Sequence, residues 1–112
     1  MPYSSSVPPI VQGVFAAMTI PRKQEWRLDI PTFRRHVRFL AQKHISGFAL
    51  NGATGEYCLT SEDDLTQILR SARETLGEQG TIIAGIGGAS DLQSLRLLDI
   101  AERERADGVG QR

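Results

Sequence analysis

The chain has a single cysteine, Cys58, so no disulfide can form within it. Lys and Arg together number 13 and Asp and Glu another 13, which leaves no excess of either sign. No Lys/Arg run is longer than two residues, so neither nucleic acid nor an anionic membrane is a natural partner. Small molecules are the expected partners. No apolar stretch approaches the roughly 18 residues of a membrane span. The opening MPYSSSVPPI lacks a basic region followed by an apolar one, so the expected location is the cytoplasm. His36 and His44 sit on a different expected element from Cys58, which makes a poor metal set.

What is present is globular. Hydrophobic residues make up 40% and charged residues 23% of 112 positions, enough for one modest core. Residues 1–10 hold three Ser and three Pro and are expected to form a flexible arm, with residues 11–112 as the folded part. VQGVFAAM, residues 11–18, is a mostly apolar run of the kind that forms a strand buried on both faces. The loop from Thr19 to Arg27 follows. Asp29 is placed to cap a helix with Pro31 in its first turn and Ile30, Phe33, Val37, Leu40, Ala41 and His44 along one face.

The same alternation then recurs. Phe48 to Leu50 reads as a second strand, and Ser61 with Asp64 three residues on has the form of a capping box. Leu65, Ile68, Leu69, Ala72 and Leu76 make the next apolar stripe, which Gly77 is placed to stop. Thr81 to Ala84 is a third strand. Ser90 or Asp91 opens a third helix, with Leu92, Leu95, Leu98 and Ala101 or Glu102 expected on its inner side. A fourth strand begins at Asp107-Gly108-Val109. Strand starts are spaced by about 36, 33 and 26 residues, close to the roughly 31 per unit of an eightfold βα barrel. A doubly wound sheet has the same periodicity, so spacing alone leaves both open. Three strands and the start of a fourth cannot close a barrel, and the expectation is therefore a truncated chain.

In parallel folds of this kind, active sites lie where loops leave the carboxyl ends of the strands. Asn51-Gly52-Ala53-Thr54-Gly55-Glu56 occupies such a place. Its glycines let the backbone approach a ligand closely, successive N–H groups near Ala53 and Thr54 can form an anion-binding concavity, and Thr54 adds a hydroxyl donor. A small carboxylate suits it. The bland alternative is an ordinary strand-to-helix turn, since Asn and Gly are the usual turn formers.

From Val14 to Val109 the chain resembles the N-terminal part of the dihydrodipicolinate synthase / N-acetylneuraminate lyase family. GVFAAMTIP is similar to its first strand and loop, LNGATGE to its hallmark second loop, LTSEDD to the next helix start and TIIAGIGG to its third strand. The resemblance implies an α/β fold, a partial (β/α)8 TIM barrel. It also implies a lyase, usually homotetrameric, that condenses or cleaves pyruvate and aldehyde-type partners through a lysine Schiff base, with no metal or organic cofactor. Thr54 then matches the second hydroxyl of the family's paired Thr-Thr or Ser-Thr as a substrate-carboxylate ligand, assisted by the Ala53 backbone. Ala53 stands where the first hydroxyl joins a tyrosine relay, and the loop after Glu56 is about one residue short. These departures point away from the lysine-biosynthesis reaction and toward another 2-oxo-acid aldolase or dehydratase.

The family's lysine and tyrosines belong to later strands, so no catalytic residue is expected in this chain. Its two lysines are poor substitutes. Lys23, beside Arg22 and Glu25, reads as solvated surface, and Lys43 as a helix-end cation. Gly85-Ile86-Gly87-Gly88-Ala89-Ser90 invites a phosphate reading but lacks the full G-x-G-x-x-G form. Tyr57 is placed to line the pocket or a subunit contact, Cys58 to pack as a small thiol, Trp26 to pack the first loop, and His36 and His44 to lie partly solvated on a helix. A non-catalytic carboxylate-binding or assembly module is the alternative function.

Overall fold

The computed structural model describes residues 15–18, 20–43, 45, 47–50, 61–86 and 90–110. Strand β1 (Phe15–Ala17) is followed by helix α1 (Ile30–Ala41), β2 (Gly47–Leu50), α2 (Glu62–Leu76), β3 (Thr81–Gly85), α3 (Asp91–Arg103) and β4 (Gly108–Gly110). The four strands form one sheet in the order β1-β2-β3-β4, and every pair is parallel. The order never reverses, so the described sheet has no topological switch point of the doubly wound kind. It has the sequential order of a barrel wall.

Each helix begins as its sequence dictates. The Asp29 carboxylate accepts from the Thr32 amide at 3.3 Å, with Pro31 in the first turn. Ser61 Oγ accepts from the Asp64 amide at 3.1 Å, and Ser90 Oγ from the Gln93 amide at 3.1 Å. Helix α2 ends at Gly77, whose φ of 72° favours a residue without Cβ. Only one half of the expected capping box is used for capping, because the Asp64 carboxylate pairs with Arg22.

The core lies between the helices and one face of the sheet. Phe48 and Leu50 of β2, in register with Ile82 and Ala84 of β3, pack with Phe33, Val37, Leu65, Ile68, Leu69 and Ala72 in one buried cluster. At roughly 1.5–3 kcal/mol for each fully buried large aliphatic or aromatic side chain, this cluster is the main stabilising term. The opposite strand face carries Ala17, Ala49, Ile83 and Gly108 across one row. That row has no charge, as suits the interior of a barrel.

Helix α3 departs from its expected face in its first two turns, while Ala101 is buried and Leu98 packs against the core as expected. Leu92 and Leu95 are exposed, at 60% and 62%, whereas Leu97, Ile100 and Ala101 are buried. With leucines at 92, 95, 97 and 98, two overlapping stripes compete, and the choice falls to packing on α2. There Glu104, just past the helix, accepts from Arg70 Nε at 3.0 Å and Nη2 at 2.8 Å. The expected arm, residues 1–10, lies outside the described residues. No helix among the described residues is long and apolar enough to cross a membrane.

Candidate functional site at the carboxyl ends of the strands

Parallel pairing puts the carboxyl ends of all four strands on one side, and the connections leaving them start there. The segment 51–60, with Ala53 and Thr54, leaves β2 after Leu50 and rejoins the described chain at Ser61, the cap of α2. These residues, with Tyr57 and Cys58, lie outside the described residues, as do His44 and Gly87 to Ala89. What the structure defines is the frame around them.

The frame is built by the β1–α1 connection. The Met18 amide donates to the Ala49 carbonyl at 3.3 Å, tying the end of β1 to the end of β2 just before the segment begins. The connection then folds on itself. Arg22 and Leu28 form an antiparallel bridge, the Lys23 amide donates to the Arg27 carbonyl at 2.7 Å, and the Asp29 amide donates to the Pro21 carbonyl at 3.0 Å. Glu25 closes the turn with a φ of 61°.

From this turn the Arg22 side chain, only 9% exposed, reaches the first turn of α2 and places Nη1 3.1 Å from Asp64 Oδ2. Lys23 and Glu25 are exposed as expected, but Arg22 is not the solvated residue its neighbours suggest. The correction has a local cause, since extended pairing with Leu28 anchors the Arg22 backbone so that its side chain can lie over the start of α2. Both Arg22 and the second use of Asp64 escape sequence reasoning. An arginine 42 positions from its partner carries no local signal.

Electrostatics at this end are mixed. Glu62, Asp63 and Asp64 fill the first turn of α2, where carboxylates favour the helix dipole but oppose an anionic ligand nearby. Arg22 offsets Asp64, and Arg96 Nη1 lies 3.7 Å from Glu62. At the start of α1, hydrogen bonds from the Thr32 hydroxyl and amide hold the Asp29 carboxyl below its usual range.

Neither lysine is buried. Lys23 is exposed in the turn, and Lys43 is exposed beyond α1 with Nζ 4.9 Å from the centre of the Phe39 ring. The exposed His36 lines a groove of about 250 Å³ with Ala17, Met18, Phe39 and Leu40, on the flank of the sheet beside β1. Among the described residues no three His, Cys, Asp or Glu side chains gather as a metal site.

Comparison with known proteins agrees with this architecture. The model of the dihydrodipicolinate synthetase family matches residues 10–111. The chain belongs to this family. A 4-hydroxy-tetrahydrodipicolinate synthase of Mycolicibacterium gilvum is 31% identical over 112 residues, covering 97% of this chain and 37% of that protein. An N-acetylneuraminate lyase of Salmonella paratyphi B is 34% identical over 99 residues, 88% of this chain and 33% of the relative. Among solved structures, a monomeric dihydrodipicolinate synthase variant superposes with a TM-score of 0.83 at 27% identity, covering 91% of this chain and 34% of that one. The chain thus spans about a third of the length of these family relatives. The fold is the corresponding part of a TIM barrel, and the family is one of lyases.

Proposed function

We propose that the chain carries the carboxylate-holding part of a lyase that acts on pyruvate or a related 2-oxo acid through a lysine Schiff base. The observation behind this reading is the position of LNGATGE. It leaves β2 at the carboxyl end of a sequentially ordered parallel sheet, within a match to both synthases and lyases of one family. Thr54 donates its hydroxyl to the substrate carboxylate, and the Ala53 backbone assists. Once the carboxylate is held, a pyruvate imine can present its methyl carbon for proton loss and attack in one orientation, which is the part of the barrier that positioning lowers.

Neither Lys23 nor Lys43 is in a place to form that imine, so the 112-residue chain alone is inactive. Ala53 removes a hydroxyl and favours an aldolase or dehydratase reaction over lysine biosynthesis. A full-length form is a cytoplasmic homotetramer in this reading. Pyruvate with borohydride should leave the chain unlabelled, and labelling at Lys23 or Lys43 would refute the assignment. Pyruvate should shift the amide resonances of residues 51–60, and Thr54→Ala should abolish the shift without lowering the unfolding midpoint. An unchanged titration in that variant would remove Thr54 from the site. The second reading, a carboxylate-binding or assembly module without chemistry, draws support from the uncharged inner row of Ala17, Ala49, Ile83 and Gly108, which suits contact with further barrel wall.

A further inference from the structure

We propose that Arg22 is a positioning residue which, through its ion pair with Asp64, sets where α2 starts and so the span across which the carboxylate-binding segment is held. The inference rests on the reading of residues 51–60 given above. That segment enters after Leu50 and leaves at Ser61, and the β1–α1 connection touches the chain beside both points. Met18 binds Ala49 on the entry side, and Arg22 binds Asp64 on the exit side. The two contacts act as a bracket.

The bracket is stiff at its base. Pairing of Arg22 with Leu28 and the bond from Asp29 to Pro21 tie the turn into the start of α1, which is itself packed in the core through Phe33 and Val37. The guanidinium therefore transmits the position of α1 and β1 to the first turn of α2. Burial makes the link strong, because a pair shielded from water is screened less than an exposed one. The Arg22 side chain is 9% exposed and that of Asp64 25%.

Charge adds a second contribution. Without Arg22 the Asp64 carboxylate would stand uncompensated in the first turn of α2, beside a segment that has to accept an anion, while Glu62 keeps its pairing with Arg96 at 3.7 Å. Pairing neutralises Asp64 and leaves the Ser61 hydroxyl and the Asp64 amide to cap the helix. Loss of Arg22 thus affects both the geometry and the local potential.

The test is an NMR titration of the 112-residue chain with pyruvate, read at the amides of residues 51–60, with urea unfolding of every variant alongside. Arg22→Ala and Asp64→Asn should each weaken pyruvate binding by about fivefold or more, in line with the usual coupling between contacting residues. Arg22→Lys should stay within about twofold, and the exchanged pair, Arg22→Asp with Asp64→Arg, should recover most of the loss. Unchanged affinity in Arg22→Ala, or an exchanged pair that unfolds normally yet recovers nothing, would overturn the proposal. If the parent chain shows no pyruvate response, it is the carboxylate reading that fails. The ligand-free spectrum then decides the positioning role, with shifts at residues 51–60 in Arg22→Ala supporting it and an unaltered spectrum refuting it.

Discussion

Two arginines, one at each end of the sheet, bind in contrasting ways. At the amino ends of the strands, Arg73 is 5% exposed and spends its guanidinium on structure. It donates to the carbonyls of Gly77 and Gly80 at 3.0 and 2.7 Å, to the carbonyl of Arg105 at 2.6 Å and to the Asp107 carboxylate at 2.9 Å. Asp107 in turn accepts from the Ile82 amide, and its own amide donates to the Ile82 carbonyl, each at 2.8 Å. This hub joins the end of α2, the start of β3 and the approach to β4. At the carboxyl ends, Arg22 is ion-paired with Asp64 at the start of α2, next to the segment that carries the proposed chemistry. The contrast matches the division of labour in βα barrels, where the amino face serves stability and the carboxyl face function.

The contrast is sharpest under mutation. Arg73→Leu removes the bonds to three carbonyls and to the Asp107 carboxylate, and should cost about 3 kcal/mol, since hydrogen bonds that involve a charged group contribute about 1.5–3 kcal/mol each. Urea unfolding measures it, and a loss under about 1 kcal/mol would show that the hub is dispensable. Gly80→Ala acts on the same hub from another side. Its new Cβ would lie 2.5 Å from Leu76 Cβ and push aside a carbonyl that Arg73 binds, for an expected loss of about 1–3 kcal/mol. At the other end, Ser61→Ala removes one cap of α2 and should cost only about 1 kcal/mol, while weakening pyruvate binding more than Gly80→Ala does. Equal effects of the two variants on binding would erase the functional distinction between the ends.

Acid gives the smallest and most gradual test. Glu104 bridges α2 and the end of α3, and hydrogen bonds from Arg70, with further help from Arg103, hold its carboxyl below the ordinary value. Because the folded state binds this proton less readily than the unfolded chain does, the contribution is complete above the ordinary glutamate range. It fades as pH falls through the lower, folded value. Unfolding midpoints of the parent and Glu104→Gln, compared from about pH 6 to about pH 3, should therefore converge toward the acid end. Curves that stay parallel would mean that Glu104 contributes nothing through its charge.

Much of this was legible in the sequence because the signals were local. Asp29, Ser61 and Ser90 each precede an amphipathic run and each caps it, since a cap needs only the amides two or three residues ahead. The second and third strands were legible from short apolar runs between turn residues. The expected Val11 to Met18 strand is described only from Phe15, as Phe15–Ala17. The inner face of α3 was read correctly at Leu98 and Ala101 but misjudged at Leu92 and Leu95, because four leucines in seven positions satisfy two stripes equally well and contact with α2 selects one of them. Arg22 was misjudged because exposure depends on what folds back over a residue.

The sequence by itself determined the order of strands and helices, the caps, the repeat and the family, because these rest on spacing along the chain. Only the tertiary structure decided that Arg73 locks one end of the sheet while Arg22 reaches the start of α2 at the other. The ion-pair partners of both, Asp107 and Asp64, lie more than thirty positions away, and the energy of an ion pair depends on distance and burial in space rather than on separation in sequence.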